Sequence, residues 1–235
     1  MSAEQLAIQA AFRSEAEFHE LSSFGAEARE RINEAGRHLQ EHGVLSPNLS
    51  FNAGIRVRDV DRVVMGGFTP RGQGNAPAAV IGFDGAYHEG KFKKSHLELL
   101  DVYATIFREQ PDVHAAIHTH SPYLEVFALS HRPLPIAYGE NILRRTVRPI
   151  PLIPWEPRSS SGPIKNAVRN NPDTPAILIA NHGLFAWGES IEAVARFIVE
   201  LEDAARAVLN AEALGGAKPL PVNARDELLD AGARA

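Results

Sequence analysis

The sequence predicts an α/β layered domain, and three observations carry that prediction. First, "ESIEAVARFIVELEDAARAVLNAEALGG" repeats apolar residues at helical spacing over many turns: Ile191, Val194, Ile198, Leu201, Ala205 and Val208. Second, "VHAAIHTH" and "AILIANHG" are apolar runs of strand length. Third, helical and strand-like segments alternate along the 235 residues, with no Pro/Ser linker long enough to divide them.

The elements follow in order. Residues 1–24 read as an N-terminal arm, 25–214 as the domain and 215–235 as a tail. A helix is expected from Gly25 to His42, with Ala28, Ile32, Ala35 and Leu39 on one face and Gly43 ending it. "NLSFNAGIRVRDVDRVVMGG" alternates like strands, with Asn52–Gly54 and Gly66–Gly67 as turn signals. "RGQGNAPAA" reads as a loop, and Asp84–Gly85 as the turn of a hairpin. Ser95–Glu109 has a helical pattern, with Ser95 as its N-cap and Glu98 as the capping-box partner. "VHAAIHTH" follows as a strand, and Ser121-Pro122 opens a short helix. "TVRPIPLIPW" suits an edge strand or loop, because proline cannot donate to a ladder. "SGPIKNAVRNNP" is a short helix. "AILIANHG" is a buried strand ending in a turn at Gly183. Ser190 or Glu189 starts the long helix, and Gly215 lies beyond its end.

Composition narrows the function classes. The net charge of −5 gives no basic footprint for nucleic acid. No apolar run approaches a membrane span, and the acidic N-terminus lacks a signal-peptide pattern, so a cytoplasmic location is expected. With no cysteine, thiolate metal sites and cysteine nucleophiles are excluded, and a metal would need imidazole or carboxylate ligands.

Three of the ten histidines fall in "HAAIHTH". Residues two apart on a strand share a face, so His118 and His120 project side by side, as two ligands of one ion would. His114 is in phase but lies well back along the strand. His182 has the same setting at the end of a second apolar strand. Three neutral imidazoles would hold a divalent ion and leave an open coordination position. His19, His38, His42, His88 and His131 have no partner pattern and read as solvated residues.

"HTHSPY", followed about sixty residues later by "ANHGLFAWG" and a long helix, resembles the class II aldolase/adducin family. "PDVHAAIHTHSPY", "SPNLSF" and "GGFTPRG" are similar to further family segments, so the resemblance covers about Ala26 to Ala213. It implies a three-layer α/β fold with a central, mostly antiparallel sheet flanked by helices. It also implies a homotetramer with active sites between subunits. His118, His120 and His182 would hold a divalent metal, zinc first, with manganese, iron or cobalt as alternatives. The family's acid/base carboxylate falls near Leu99, which points to Glu98 ahead of Asp101, with His96 in the same stretch. Asn48, Ser50, Arg71, Gly72 and Ser95 match the positions that hold a substrate anion. Two departures weaken a phosphate reading: Pro47 replaces a common glycine, and Arg71 a common threonine. An arginine fork suits a carboxylate as well as a phosphate. Family aldolases and epimerases use a tyrosine in the C-terminal tail, but here no tyrosine follows Tyr138, which is the remaining candidate for that proton.

The implied activity is that of a metal-dependent carbon–carbon lyase. It would act on a small anionic hydroxy-carbonyl substrate, by aldol cleavage or decarboxylation through a metal-stabilised enolate. The alternatives are a sugar-phosphate 4-epimerase, a non-catalytic adducin-like binding domain and an iron-dependent oxygenase on the same site.

Overall fold

The structure is a computed structural model that describes residues 20–91, 98–146, 148–155, 162–221 and 223–233. Helix α1 spans Ser23–Glu41. The Ser22 hydroxyl caps it by accepting from the Gly25 N–H, and Gly43 follows it in the left-handed conformation expected of a helix terminator. Strands β1 (Phe51–Val57), β2 (Arg62–Gly66), β3 (Ala78–Gly82) and β4 (Tyr87–Lys91) form a meander, with the expected turn at Asp84–Gly85. Helix α2 (Leu100–Glu109) leads to β5 (Ala115–Thr119), and α3 (Pro122–Leu129) follows at once. Helix α4 (Glu140–Arg145), β6 (Leu152–Ile153) and α5 (Gly162–Asn170) come next. The hairpin β7 (Ala176–Ile179) and β8 (Gly183–Gly188) leads into the long helix α6 (Ile191–Ala211), whose N-cap is Ser190. Helix α7 (Ala224–Ala233) lies in the tail.

Among the described residues the strands form one eight-stranded sheet in the order β4-β3-β2-β1-β5-β8-β7-β6. Every ladder is antiparallel except β6–β7 at the edge. Alternate residues of the central strands enter two different cores. Val64 and Ile117 pack with Ile32, Leu39, Phe127, Val194 and Leu201 from α1, α3 and α6. Val63, Met65 and Ala116 pack with Tyr103, Phe107, Ile164 and Val168 from α2 and α5. A sheet buried on both faces between two helical layers is the three-layer fold that the sequence suggested.

Three local expectations need correction. Asn52–Gly54 is no turn; β1 runs through it, and the chain turns instead at residues 58–61, where Asp59 has φ 61°. Gly54 serves packing, since a Cβ there would lie 3.0 Å from Val63 Cγ2 and 3.2 Å from the Tyr103 ring. Helix α2 begins at Leu100 after a 3₁₀ turn at Glu98 and Leu99, and Leu99 makes no side-chain cap bond. The expected cap Ser95 therefore precedes the helix start, and it lies outside the described residues, as do His19 and His96. Gly183 begins β8, and the turn is at residues 180–182. The physical reason is close approach: a Cβ on Gly183 would sit 2.7 Å from the Thr119 carbonyl oxygen across the β5–β8 ladder.

Candidate metal centre

Strand β5 sits in the middle of the sheet, with β1 on one side and β8 on the other. His118 pairs across to Asn52 and Phe185, so it is fixed from both sides. It is buried, and its ring stacks on Phe185 with centroids 4.4 Å apart. His120 lies one residue past the end of β5, on the same phase as His118. His182 lies in the β7–β8 turn, which the sheet brings beside the end of β5. The three rings form a nearly equilateral triangle, with centroid separations of 5.2, 5.0 and 5.3 Å. One ring nitrogen from each lies within 4.8 Å of the other two.

The outward hydrogen bonds show which nitrogens are left for a metal. His118 Nδ1 donates to the Leu184 carbonyl at 2.9 Å, which fixes the tautomer and leaves Nε2 as the lone-pair site. His120 Nδ1 donates to Glu125 Oε1 at 2.8 Å, again leaving Nε2. An all-imidazole set suits zinc and iron among common ions, and tetrahedral zinc wants its nitrogen ligands about 3.4 Å apart. The residues thus fit a divalent ion once their nitrogens draw together by up to about 1.4 Å.

Beneath this strand lies a buried phenol. The Tyr103 hydroxyl is 2.9 Å from both the Asn52 carbonyl and Asn52 Oδ1, and donates between them. Burial pushes this phenol well above its ordinary value, against an opposing pull from the His118 backbone N–H. It is therefore a neutral structural group that ties β1 to the ligand-bearing strand.

The remaining candidates fall in two groups. Asn48 and Ser50 lie in a loop bound to the centre: the Ser46 N–H donates to the His120 carbonyl at 2.8 Å, and Thr119 Oγ1 donates to the Ser50 carbonyl at 3.2 Å. Within the loop Asn48 Oδ1 accepts from Ser46 Oγ and the Ser50 N–H. Arg71 is exposed and pairs with Glu41 at 3.2 Å, while a Cβ on Gly72 would meet open space. Glu98 is exposed ahead of α2, and Tyr138 is about half exposed in the loop before α4. Among the described residues, the cluster of candidate ligands consists of the three histidines, without a carboxylate. Asp101 pairs with Lys165 at 3.2 Å.

Sequence reasoning missed two polar residues around the centre. Glu125 was not singled out, although its place in the first turn after Ser121-Pro122 sets it near His120. His131 is exposed, as expected, but it has a partner the sequence does not announce: its Nε2 is 2.6 Å from Oδ1 of Asn181, also exposed, beside His182.

Residues 67–209 match the class II aldolase and adducin N-terminal domain family. The chain belongs to that family. It is 29% identical over 150 residues to the 5-deoxy-D-ribulose 1-phosphate aldolase of Bacillus thuringiensis serovar kurstaki, which covers 63% of this chain and 68% of that protein. It is 27% identical over 210 residues to the 3,4-dihydroxyphthalate decarboxylase of Arthrobacter keyseri, over 86% of this chain and 76% of that one. Other curated relatives are matched over 53% and 56% of their own length. A solved L-fuculose 1-phosphate aldolase superposes with a TM-score of 0.72 at 20% identity, covering 90% of this chain and 97% of that one. The family fold is therefore shared, mostly antiparallel sheet included. No helix among the described residues is long and apolar enough to cross a membrane.

Proposed function

We propose that this chain is a metal-dependent carbon–carbon lyase that acts on a small anionic hydroxy-carbonyl substrate, by aldol cleavage or decarboxylation. The observation that carries the reading is the convergence of His118, His120 and His182, with Nδ1 of the first two already engaged. These residues would hold a divalent ion, zinc before manganese, iron or cobalt. When bound, such an ion supplies Lewis-acid polarisation of a substrate carbonyl.

The chain's own residues do the rest. Leu184 and Glu125 hold two ligand rings in the tautomer that presents Nε2. The Asn48–Ser50 loop, with Arg71, Gly72 and Ser95, binds the substrate's anionic group; Arg71 exchanges Glu41 for it. Glu98 takes or returns the proton on the carbon next to the carbonyl. Tyr138 protonates the departing aldehyde oxygen where the reaction is an aldol cleavage, reaching the site from a neighbouring subunit of a homotetramer. Two relatives of different activity, an aldolase and a decarboxylase, support a site whose chemistry extends to both reactions. The lack of a tyrosine after Tyr138 weighs against a sugar-phosphate 4-epimerase, and the intact histidine triangle weighs against an adducin-like scaffold.

The test is a screen of the metal-loaded protein against hydroxy-keto acids, dihydroxy aromatic acids and sugar phosphates, read as release of pyruvate, aldehyde or CO₂. Turnover that His118→Ala abolishes supports the reading. A metal-loaded protein inert to all three substrate classes contradicts it.

A further inference from the structure

Helix α3 is tied near both of its ends to segments that carry the histidines, to His120 through Glu125 and to the turn before His182 through Ala128. At its start, Ser121 stands at the N-cap but makes no side-chain cap bond, and its Oγ is buried with no partner among the described residues. The capping task falls to Glu202 of α6. Its Oε1 accepts from the Tyr123 N–H at 2.6 Å and its Oε2 from the Leu124 N–H at 2.9 Å. Pro122 has no N–H, and the Glu125 N–H is taken by the Ser121 carbonyl at 2.8 Å. Every N–H of the first turn is thereby accounted for, and a buried carboxylate lies where the helix dipole favours negative charge. From this anchored turn Glu125 reaches back to His120 Nδ1.

At the other end, the Ala128 carbonyl accepts from the Asn181 N–H at 3.2 Å. His131 Nε2 donates to Asn181 Oδ1 at 2.6 Å. Both residues of this pair are left-handed, with φ 53° at His131 and φ 55° at Asn181. Asparagine visits that region readily and histidine less so; such conformations persist where surrounding contacts determine them. Asn181 directly precedes His182, so this solvent-exposed pair sits on the turn that carries the third histidine.

We propose that α3 is a brace for the metal centre, in which Glu125 fixes His120 and the His131–Asn181 clamp fixes His182. Glu125 and His131 are positioning residues: Glu125 sits on the far side of the His120 ring from Nε2, and His131 acts through Asn181. The third ligand, His118, is fixed independently by the sheet through Phe185 and the Leu184 carbonyl. The inference rests on the metal-site reading above.

The experiment measures zinc and cobalt affinity by competition with a chromophoric chelator, and the visible spectrum of the cobalt form, which reports ligand geometry. Removing such outer partners weakens metal binding by about 10- to 100-fold. That loss is expected for Glu125→Ala and for His131→Ala, with a changed cobalt spectrum in each. Glu125→Gln keeps an acceptor and His131→Gln keeps a donor, so both should recover part of the affinity. Leu129→Ala, exposed on the same helix, should stay within about twofold of wild type. Thermal melts of every variant separate ligand positioning from loss of fold. Affinity within about twofold of wild type in both alanine variants overturns the brace. So does an equal loss in Leu129→Ala. Wild-type uptake of one ion per chain that His182→Ala removes upholds the metal site whichever way the brace variants fall; no uptake by wild type overturns both.

Discussion

His118 and His120 at one end of β5 differ instructively from His114 at the other. All three are in phase on the same stretch of chain. At the His118–His120 end each Nδ1 has a partner, and the β7–β8 turn delivers a third imidazole. At the His114 end Nδ1 is buried with no partner among the described residues. There the neighbours are Arg56, Arg58, Asp59 and Asp61, around an open cleft of about 560 Å³. Arg56 is partly spent on the carbonyls of Phe107 and Pro111 at the end of α2. What sets this histidine pair apart as a candidate metal site is therefore the surroundings: oriented far nitrogens and a third imidazole from a distant segment.

The largest break in this comparison should come from the ligands themselves. His118→Ala or His182→Ala should lower metal affinity by more than about 100-fold, beyond what loss of an outer partner costs, as read by chelator competition. Next comes Gly183→Ala. Its Cβ would strike the Thr119 carbonyl oxygen at 2.7 Å, so the β5–β8 junction must open at the metal end. The expectation is a lower melting temperature together with weakened metal binding, and unchanged metal binding would refute this account of the glycine.

Tyr103→Phe should affect stability first. It leaves Asn52 Oδ1 without its buried donor, a loss of about 1–3 kcal/mol, measurable in denaturant titration. A smaller, pH-dependent effect belongs to the clip between α1 and α6. Arg31 donates to both Glu192 oxygens at 2.8 and 2.9 Å and holds that carboxyl down to about 2. A depressed folded-state pKa contributes stability fully above the ordinary value of 4.5 and loses it as pH falls towards 2. Both side chains are about 40% exposed or more, so screening keeps the contribution to about 1 kcal/mol or less. Glu192→Gln should therefore melt slightly below wild type at pH 7, and the gap should close as the pH approaches 2. The smallest effect sharpens the comparison from its other side: His114→Ala should leave metal affinity within about twofold of wild type.

Much of this was legible in the sequence because it depends on period and local chemistry. The spacing of His118 and His120 reports a strand face, and the long stripe from Ile191 to Val208 reports a packed helix. The Asp84–Gly85 turn and the Ser-Pro start of α3 are likewise local signals. The errors arose where tertiary packing chose the residue. Gly54 looks like a turn residue but makes room for Tyr103. Gly183 looks like the end of a strand but begins one, because Thr119 passes so close. The carboxylate of Glu202 gives no local sign that it caps a helix 78 residues upstream.

The central claim is that the three histidines hold one divalent ion. Its most direct test is elemental analysis of wild-type and His118→Ala protein, purified without added metal and again after reconstitution. The account predicts close to one equivalent of zinc or another divalent ion per wild-type chain, and loss of that ion in the variant. Less than about 0.2 equivalents in reconstituted wild type, or equal content in both proteins, would contradict it.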